Sequence, residues 1–247
     1  MLSWVFNAEL CLQSSDLVVG VFEFVLLLFS LSLHECAHAW MASRLGDQTA
    51  RMQGRVTLNP LPHIDPVGTL FYPALVIFGP IFGFNLPLLL IGWAKPTPVI
   101  ARNFSRIVRD DNLVALAGPF SNFILAALAL LVLAVICLHS PADHSLVVES
   151  LSGRLVLDAS STLQAVVVLA VVALQINITL FFFNLLPIPP LDGSRVVRNL
   201  LPYNAVQQYD RIGGWLSMLL MIVVGGFVLR LLMFPVYTLI YLLLVSL

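Results

Sequence analysis

Five stretches of this chain, at about 17–42, 67–92, 112–138, 162–187 and 212–247, are apolar over lengths that reach or exceed what a helix needs to cross a bilayer. About 20 residues suffice for one crossing. The composition agrees, with 60% hydrophobic and only 10% charged residues against roughly 25% charged in an ordinary soluble domain. The expected fold is therefore an all-α polytopic membrane protein, a single transmembrane domain over 1–247 with about five transmembrane helices. A net charge of −1 without a long basic run gives no reason to expect nucleic acid as a partner. Cys11, Cys36 and Cys137 are few, widely spaced and odd in number, so they do not describe a disulfide framework. Residues 1–16 lack Lys and Arg and carry no small-residue cleavage site, so the first apolar stretch is not read as a removable signal peptide.

The cationic residues orient the chain, because cytoplasmic loops near helix ends carry an excess of Lys and Arg. Ten of the twelve lie in three connections: Arg44, Arg51 and Arg55 in 43–66; Lys95, Arg102, Arg106 and Arg109 in 94–111; Arg195, Arg198 and Arg211 in 188–211. The connection 139–161 has Asp143, Glu149 and Asp158 against Arg154, which puts it outside with the N-terminus. Loops 43–66 and 94–111 then share a side, so 67–92 must go in and come back. Pro73, Pro80 and Pro87 with Gly79, Gly83 and Gly92 suit such a re-entrant segment, since proline removes a backbone donor and glycine permits sharp turns. Residues 212–247 are too long for one span and contain Pro235, which predicts a full helix to about 233 and a shorter one after it. The partly alternating segment 48–60 with Gly54 suggests a small β-hairpin at the cytoplasmic face.

The run His34-Glu35-Cys36-Ala37-His38 falls in a predicted helix. Four-residue spacing puts both imidazoles on one face, where they can share one Zn²⁺. Glu35 is then beside the metal, placed to take a proton from an activated water and pass it to a leaving amine. Ionisable groups inside a membrane are costly and point to function; solvation in the headgroup zone is the plainer reading. Catalytic zinc needs a third protein ligand and an open position. His139 and His144 fall on the wrong side, whereas Asp192 follows a long apolar helix broken by Pro187, Pro189 and Pro190 and ending on the side of His34. An ordinary Asp-Gly turn is the alternative for Asp192. Asn122 is open between an oxyanion-stabilising amide and an interhelical hydrogen bond. Gly118 and Pro119 read as shaping the start of a helix, Cys36 as packing, and His63 and Asp65 as part of a folded turn. Glu23, eleven residues before His34, returns to nearly the same helix face and is a candidate either for a water path to the metal or for a structural role.

Five motifs in this order, HECAH at 34–38, GDQTARMQGRVTLNPLPHIDPVGTL at 46–70, GWAKPTPV at 92–99, ALAGPFSN at 115–122 and NLLPIPPLDG at 184–193, resemble the site-2 protease family in its short form without PDZ or CBS domains. The resemblance covers about 30–193. It implies a polytopic endopeptidase with one Zn²⁺ per chain and a catalytic core at about 17–193, cleaving transmembrane segments of other proteins within the bilayer. It also implies that Asp192 is the third ligand beside His34 and His38, that Glu35 is the base, and that Asn184 lies near the active site, where it, like Asn122, could stabilise the oxyanion or position substrate. The setting it implies is a prokaryotic plasma membrane with the active site toward the cytoplasm. Residues 1–16 are too short and polar to supply the extra helix of longer members. The competing class is a non-catalytic transporter or scaffold on the same fold with a structural or vestigial metal site. Every catalytic position is filled, and a structural zinc would want four protein ligands.

Overall fold

A computed structural model describes residues 14–83, 92–152, 161–211, 217 and 226–247. Helix α1 (Ser14–Arg44), a single turn α2 (Thr49–Met52) and α3 (Tyr72–Phe78) are followed by α4 (Ile107–Cys137), α5 (Pro141–Leu151) and α6 (Thr162–Asn184), then α7 (Asp192–Leu200), α8 (Tyr203–Asp210) and α9 (Gly226–Val245). Four of them, α1, α4, α6 and α9, are long and apolar enough to cross a membrane. The chain is an integral membrane protein, and no strand occurs among the described residues. The large apolar side chains Phe29, Phe123, Leu128, Val135, Phe227 and Leu239 are all exposed, as lipid-facing positions should be. At 31 residues, α1 is about 46 Å long, enough to carry its C-terminal turns past the hydrocarbon core.

α4 is the centre of the bundle, packed along α6 on one side and α1 on the other. Its inner face carries Ala115, Gly118, Asn122, Ala126 and Ala129, small or amide side chains that let helices approach closely and bond across the interface. One apolar core, including Leu133, Val171, Leu174 and Leu229, joins α4, α5, α6 and α9, and a second, around Leu27, Leu31, Val168 and Val172, joins α1 to α6.

The two ends of the expected re-entrant segment 67–92 lie side by side. The carboxylate of Asp65 caps a helical turn by accepting from Val67 N at 3.0 Å and Gly68 N at 2.7 Å, and α3 continues to Phe78. The returning chain then lies beside the start: Trp93 N donates to Gly68 O at 3.1 Å and Lys95 N to His63 O at 2.8 Å. Gly68 is required, because a Cβ there would overlap the Trp93 ring. His63 is buried with its Nε2 against Thr57 O. Residues 84–91 lie outside the described residues.

Two expectations need correction, and one connection holds an element that was not expected. The β-hairpin over 48–60 is replaced by the single turn α2, which stops at Gly54 in a left-handed conformation (φ +70°). Its side chains do not alternate between two faces, since Arg55 turns inward to the Pro62 carbonyl. The connection 139–161 contains α5, started by Ser140 Oγ accepting from Asp143 N at 3.2 Å, a serine cap with proline in the first turn. Pro235 does not split the C-terminal stretch, for α9 runs unbroken through it; the cost is one backbone bond, which membrane bundles tolerate. The helix expected before it lies largely outside the described residues.

Asp47 fastens the chain after α1 to the segment entering α4. It is fully buried, and its two oxygens accept from Thr49 N, Thr49 Oγ1, Ile100 N and Asn103 Nδ2 at 2.6 to 3.1 Å. Burial acts to raise its pKa, but these four donors prevail and hold it below the ordinary carboxylate range. Its folded value is thus below its unfolded one, so its stabilisation is full above about pH 4 and is lost as the pH falls through the lower folded value. Asp47→Ala should cost roughly 2–3 kcal/mol at neutral pH and flatten the acid limb of a melting-temperature profile. An unchanged acid limb would remove Asp47 from that role.

Candidate metal centre

α1 presents His34 and His38 one turn apart toward α4, both about 5% exposed. Asp192, the first residue of α7, reaches the same point from the other end of the chain. His34 Nε2 lies 3.0 Å from Asp192 Oδ2, His38 Nε2 lies 3.2 Å from it, and the two Nε2 atoms are 3.0 Å apart. Among the described residues these are the three that converge as a candidate metal-ligand set.

The chemistry of the triangle demands a cation. His38 Nδ1 is 2.7 Å from the Val114 carbonyl, an obligate acceptor, so Nδ1 carries the proton and Nε2 presents a lone pair. His34 Nδ1 donates likewise to Asn122 Oδ1 at 2.6 Å. With both imidazoles neutral, two lone pairs and a carboxylate oxygen face one another, an arrangement that one shared cation satisfies. Ligands about 2.0–2.1 Å from a tetrahedral zinc would be about 3.3–3.4 Å apart, close to the separations observed. The residues fit a zinc ion.

Asp192 is placed by packing on both sides. Gly193 sits so tightly against the Leu185 and Leu186 carbonyls that any Cβ would collide with backbone. Beyond it, Arg195 pairs with Asp111 at the start of α4, and Asn199 Nδ2 donates to the other Asp111 oxygen at 2.7 Å. The Asp-Gly pair is a helix start pinned to α4, not a free turn.

Glu35, next to the cluster, has its Oε2 bonded by Thr97 N at 2.8 Å, while Thr97 Oγ1 donates to Glu35 O at 3.1 Å. Pro96 and Pro98 have no N–H, so the amide of Thr97 is the one backbone donor in that tripeptide, and it is spent on Glu35. Asn122 is fully buried; its oxygen serves His34 and its Nδ2 serves Asn177 on α6 at 2.9 Å, an interhelical bond. Asn184 donates to Leu180 O of its own helix at 3.0 Å and bonds none of the three converging residues. Glu23, half-buried on α1, bonds nothing among the described residues. Sequence reading missed Thr97, Asn177, the Val114 carbonyl and the reason for Gly118, whose Cα faces both imidazoles. The flanking prolines and an Asn near the middle of an apolar span were the available signals for the first two.

The model of peptidase family M50 matches residues 22–225. The chain is 38% identical over 178 residues to a Bacillus subtilis (strain 168) protein provisionally named zinc metalloprotease YwhC, an alignment covering 72% of this chain and 68% of that one. Two mycobacterial proteins provisionally named zinc metalloprotease Rip2 are also similar. That of Mycolicibacterium smegmatis is 39% identical over 114 residues, 45% of this chain and 40% of the relative. That of Mycobacterium tuberculosis (strain H37Rv) is 33% identical over 177 residues, 70% of this chain and 56% of the relative. This chain thus spans only about half of the mycobacterial proteins' length. No solved structure matches the chain significantly.

Proposed function

The chain belongs to peptidase family M50, the site-2 proteases, and from that premise we propose that it is an intramembrane zinc endopeptidase cleaving peptide bonds in or near the transmembrane segments of other membrane proteins. The observation that carries the reading is the convergence of His34 Nε2 and His38 Nε2, on a membrane helix, with Asp192 Oδ2. His34, His38 and Asp192 would hold a zinc ion, which when bound would lower the pKa of a water at its open position and polarise the scissile carbonyl. Glu35 is the general base and then the general acid: it takes the nucleophile's proton and returns it to the departing amine nitrogen. The Thr97 amide holds one carboxylate oxygen, leaving the other to exchange the proton. Asn122 orients His34. Asn184 is left as a candidate for positioning substrate.

The bundle's lipid-facing apolar surface supports substrates that are themselves membrane-embedded. The Arg and Lys bias of loops 43–66, 94–111 and 188–211 supports an active site toward the cytoplasm of a prokaryotic plasma membrane. Purified protein should carry about one zinc per chain, and Asp192→Ala should lose most of it. Full occupancy in that variant, or cleavage of a detergent-solubilised transmembrane substrate that survives metal removal, would overturn the assignment.

A further inference from the structure

Asn177 lies in the middle of α6 between apolar neighbours and is 1% exposed. A buried amide there must be bonded, and both of its ends are. Its Nδ2 donates to Ala173 O at 2.9 Å and to Ser30 Oγ at 3.0 Å, while its Oδ1 accepts from Asn122 Nδ2 at 2.9 Å. Asn122 in turn meets His34. One line of hydrogen bonds thus starts at a carbonyl of α6, crosses α4 and ends on an imidazole of α1. Among the described residues, neither Asn177 nor Ser30 hydrogen-bonds Glu35 or Asp192.

We infer that Asn177, supported by Ser30, is a positioning residue that fixes the tautomer in which His34 meets the metal, acting through Asn122. The inference rests on the proposed zinc site. Its direction follows from the one end of the line that has no choice. Ala173 offers a carbonyl, which can only accept, so Asn177 must turn its NH2 group that way and its oxygen toward Asn122. Asn122 must answer with its own NH2 group. That group also points at the Ser30 carbonyl, 3.5 Å away, another obligate acceptor. The oxygen of Asn122 is left facing His34 Nδ1, which therefore carries the proton. A neutral imidazole has one N–H, so Nε2 is bare where a cation is to be bound. With Asn122 reversed, an N–H would face Nδ1, the proton would move to Nε2, and it would occupy the direction that a metal ligand must keep free. Groups behind a metal-binding histidine set its orientation and basicity in this manner.

The rival role for Asn177 is a fastener between helices, which would touch stability and not metal binding. Competition for zinc against a chromophoric chelator, on the full-length chain in detergent, separates the two without any activity assay. Asn177→Leu should weaken zinc affinity about 10- to 100-fold, the usual cost of disturbing the partner of a ligating histidine. Asn177→Ala, which removes the same amide and leaves a small residue suited to a helix interface, takes its place if the leucine variant does not fold. Asn122→Ala should show a similar loss, and adding the Asn177 change to it should cost less than about 2-fold more, because residues acting in series do not add. Zinc affinity like wild type in a folded Asn177 variant, or an equal loss in both backgrounds, would overturn the inference and leave the metalloprotease reading standing. A wild-type chain that binds no zinc would overturn both.

Discussion

Glu35→Gln should abolish cleavage while leaving the zinc in place. Glutamine keeps the length of the side chain and retains an oxygen to accept from the Thr97 amide, so the bond at 2.8 Å survives, as do the distances among His34, His38 and Asp192. Only the capacity to take up a proton disappears. General acid–base catalysis contributes roughly 10²–10⁴-fold, and a fall of that size at unchanged zinc content would identify the base. Thr97→Ala is the matching control. It removes the hydroxyl bond to the Glu35 carbonyl but keeps the backbone amide that holds the carboxylate, so its loss should be much smaller. If Glu35→Gln retained clear turnover, the proton would have to travel through another group, and Glu35 would lose its role as the base.

The sequence reached some of this site and not the rest, for reasons that differ residue by residue. His34, Glu35 and His38 are legible because helical periodicity alone brings positions four apart to one face. Asp192 required a further step, the placement of two helix ends on the same side of a membrane. The bare Asp-Gly pair reads as a turn; what makes it a helix start is packing of Gly193 against the Leu185 carbonyl, and that close approach leaves no trace in composition. For Asn122 the sequence held two roles open, since an amide can donate or accept and only its neighbours decide which. Thr97 was invisible because it acts through a backbone N–H, which every residue but proline has. Asn177 stood in plain view, an amide near the middle of an apolar helix, yet a polar residue in an apolar span matches no spacing rule. The bundle itself was easier, because the length of an apolar run is a direct measure of what a bilayer requires. Where the expectation of a break at Pro235 failed, one residue had been given more weight than the run around it, and α9 passes through.

The residue with the least chemistry should give a loss as large as any ligand. Gly118 lies on the face of α4 that meets α1, and a Cβ built there would overlap His38 Nε2 and come within 2.6 Å of His34 Nε2. Neither imidazole can step aside: His38 Nδ1 is tied to Val114 O at 2.7 Å and His34 Nδ1 to Asn122 Oδ1 at 2.6 Å. Both of those partners are on α4 itself, so drawing the helix away to admit a methyl group would break the bonds that present the two lone pairs. Gly118→Ala should therefore displace the Nε2 atoms from their common point and weaken zinc binding by about 100-fold or more, the upper end of what disturbing the surroundings of metal ligands costs. All three ligands and Glu35 are still present in this variant, so zinc content after purification and chelator competition read the geometry alone. Cleavage should fall with the metal and return in part at saturating zinc. Gly193→Ala makes the contrast, because its clash is with backbone carbonyls and should lower the melting temperature along with the zinc. A Gly118→Ala chain holding zinc as tightly as wild type would mean that α1 and α4 stand farther apart at the imidazoles than their hydrogen bonds require.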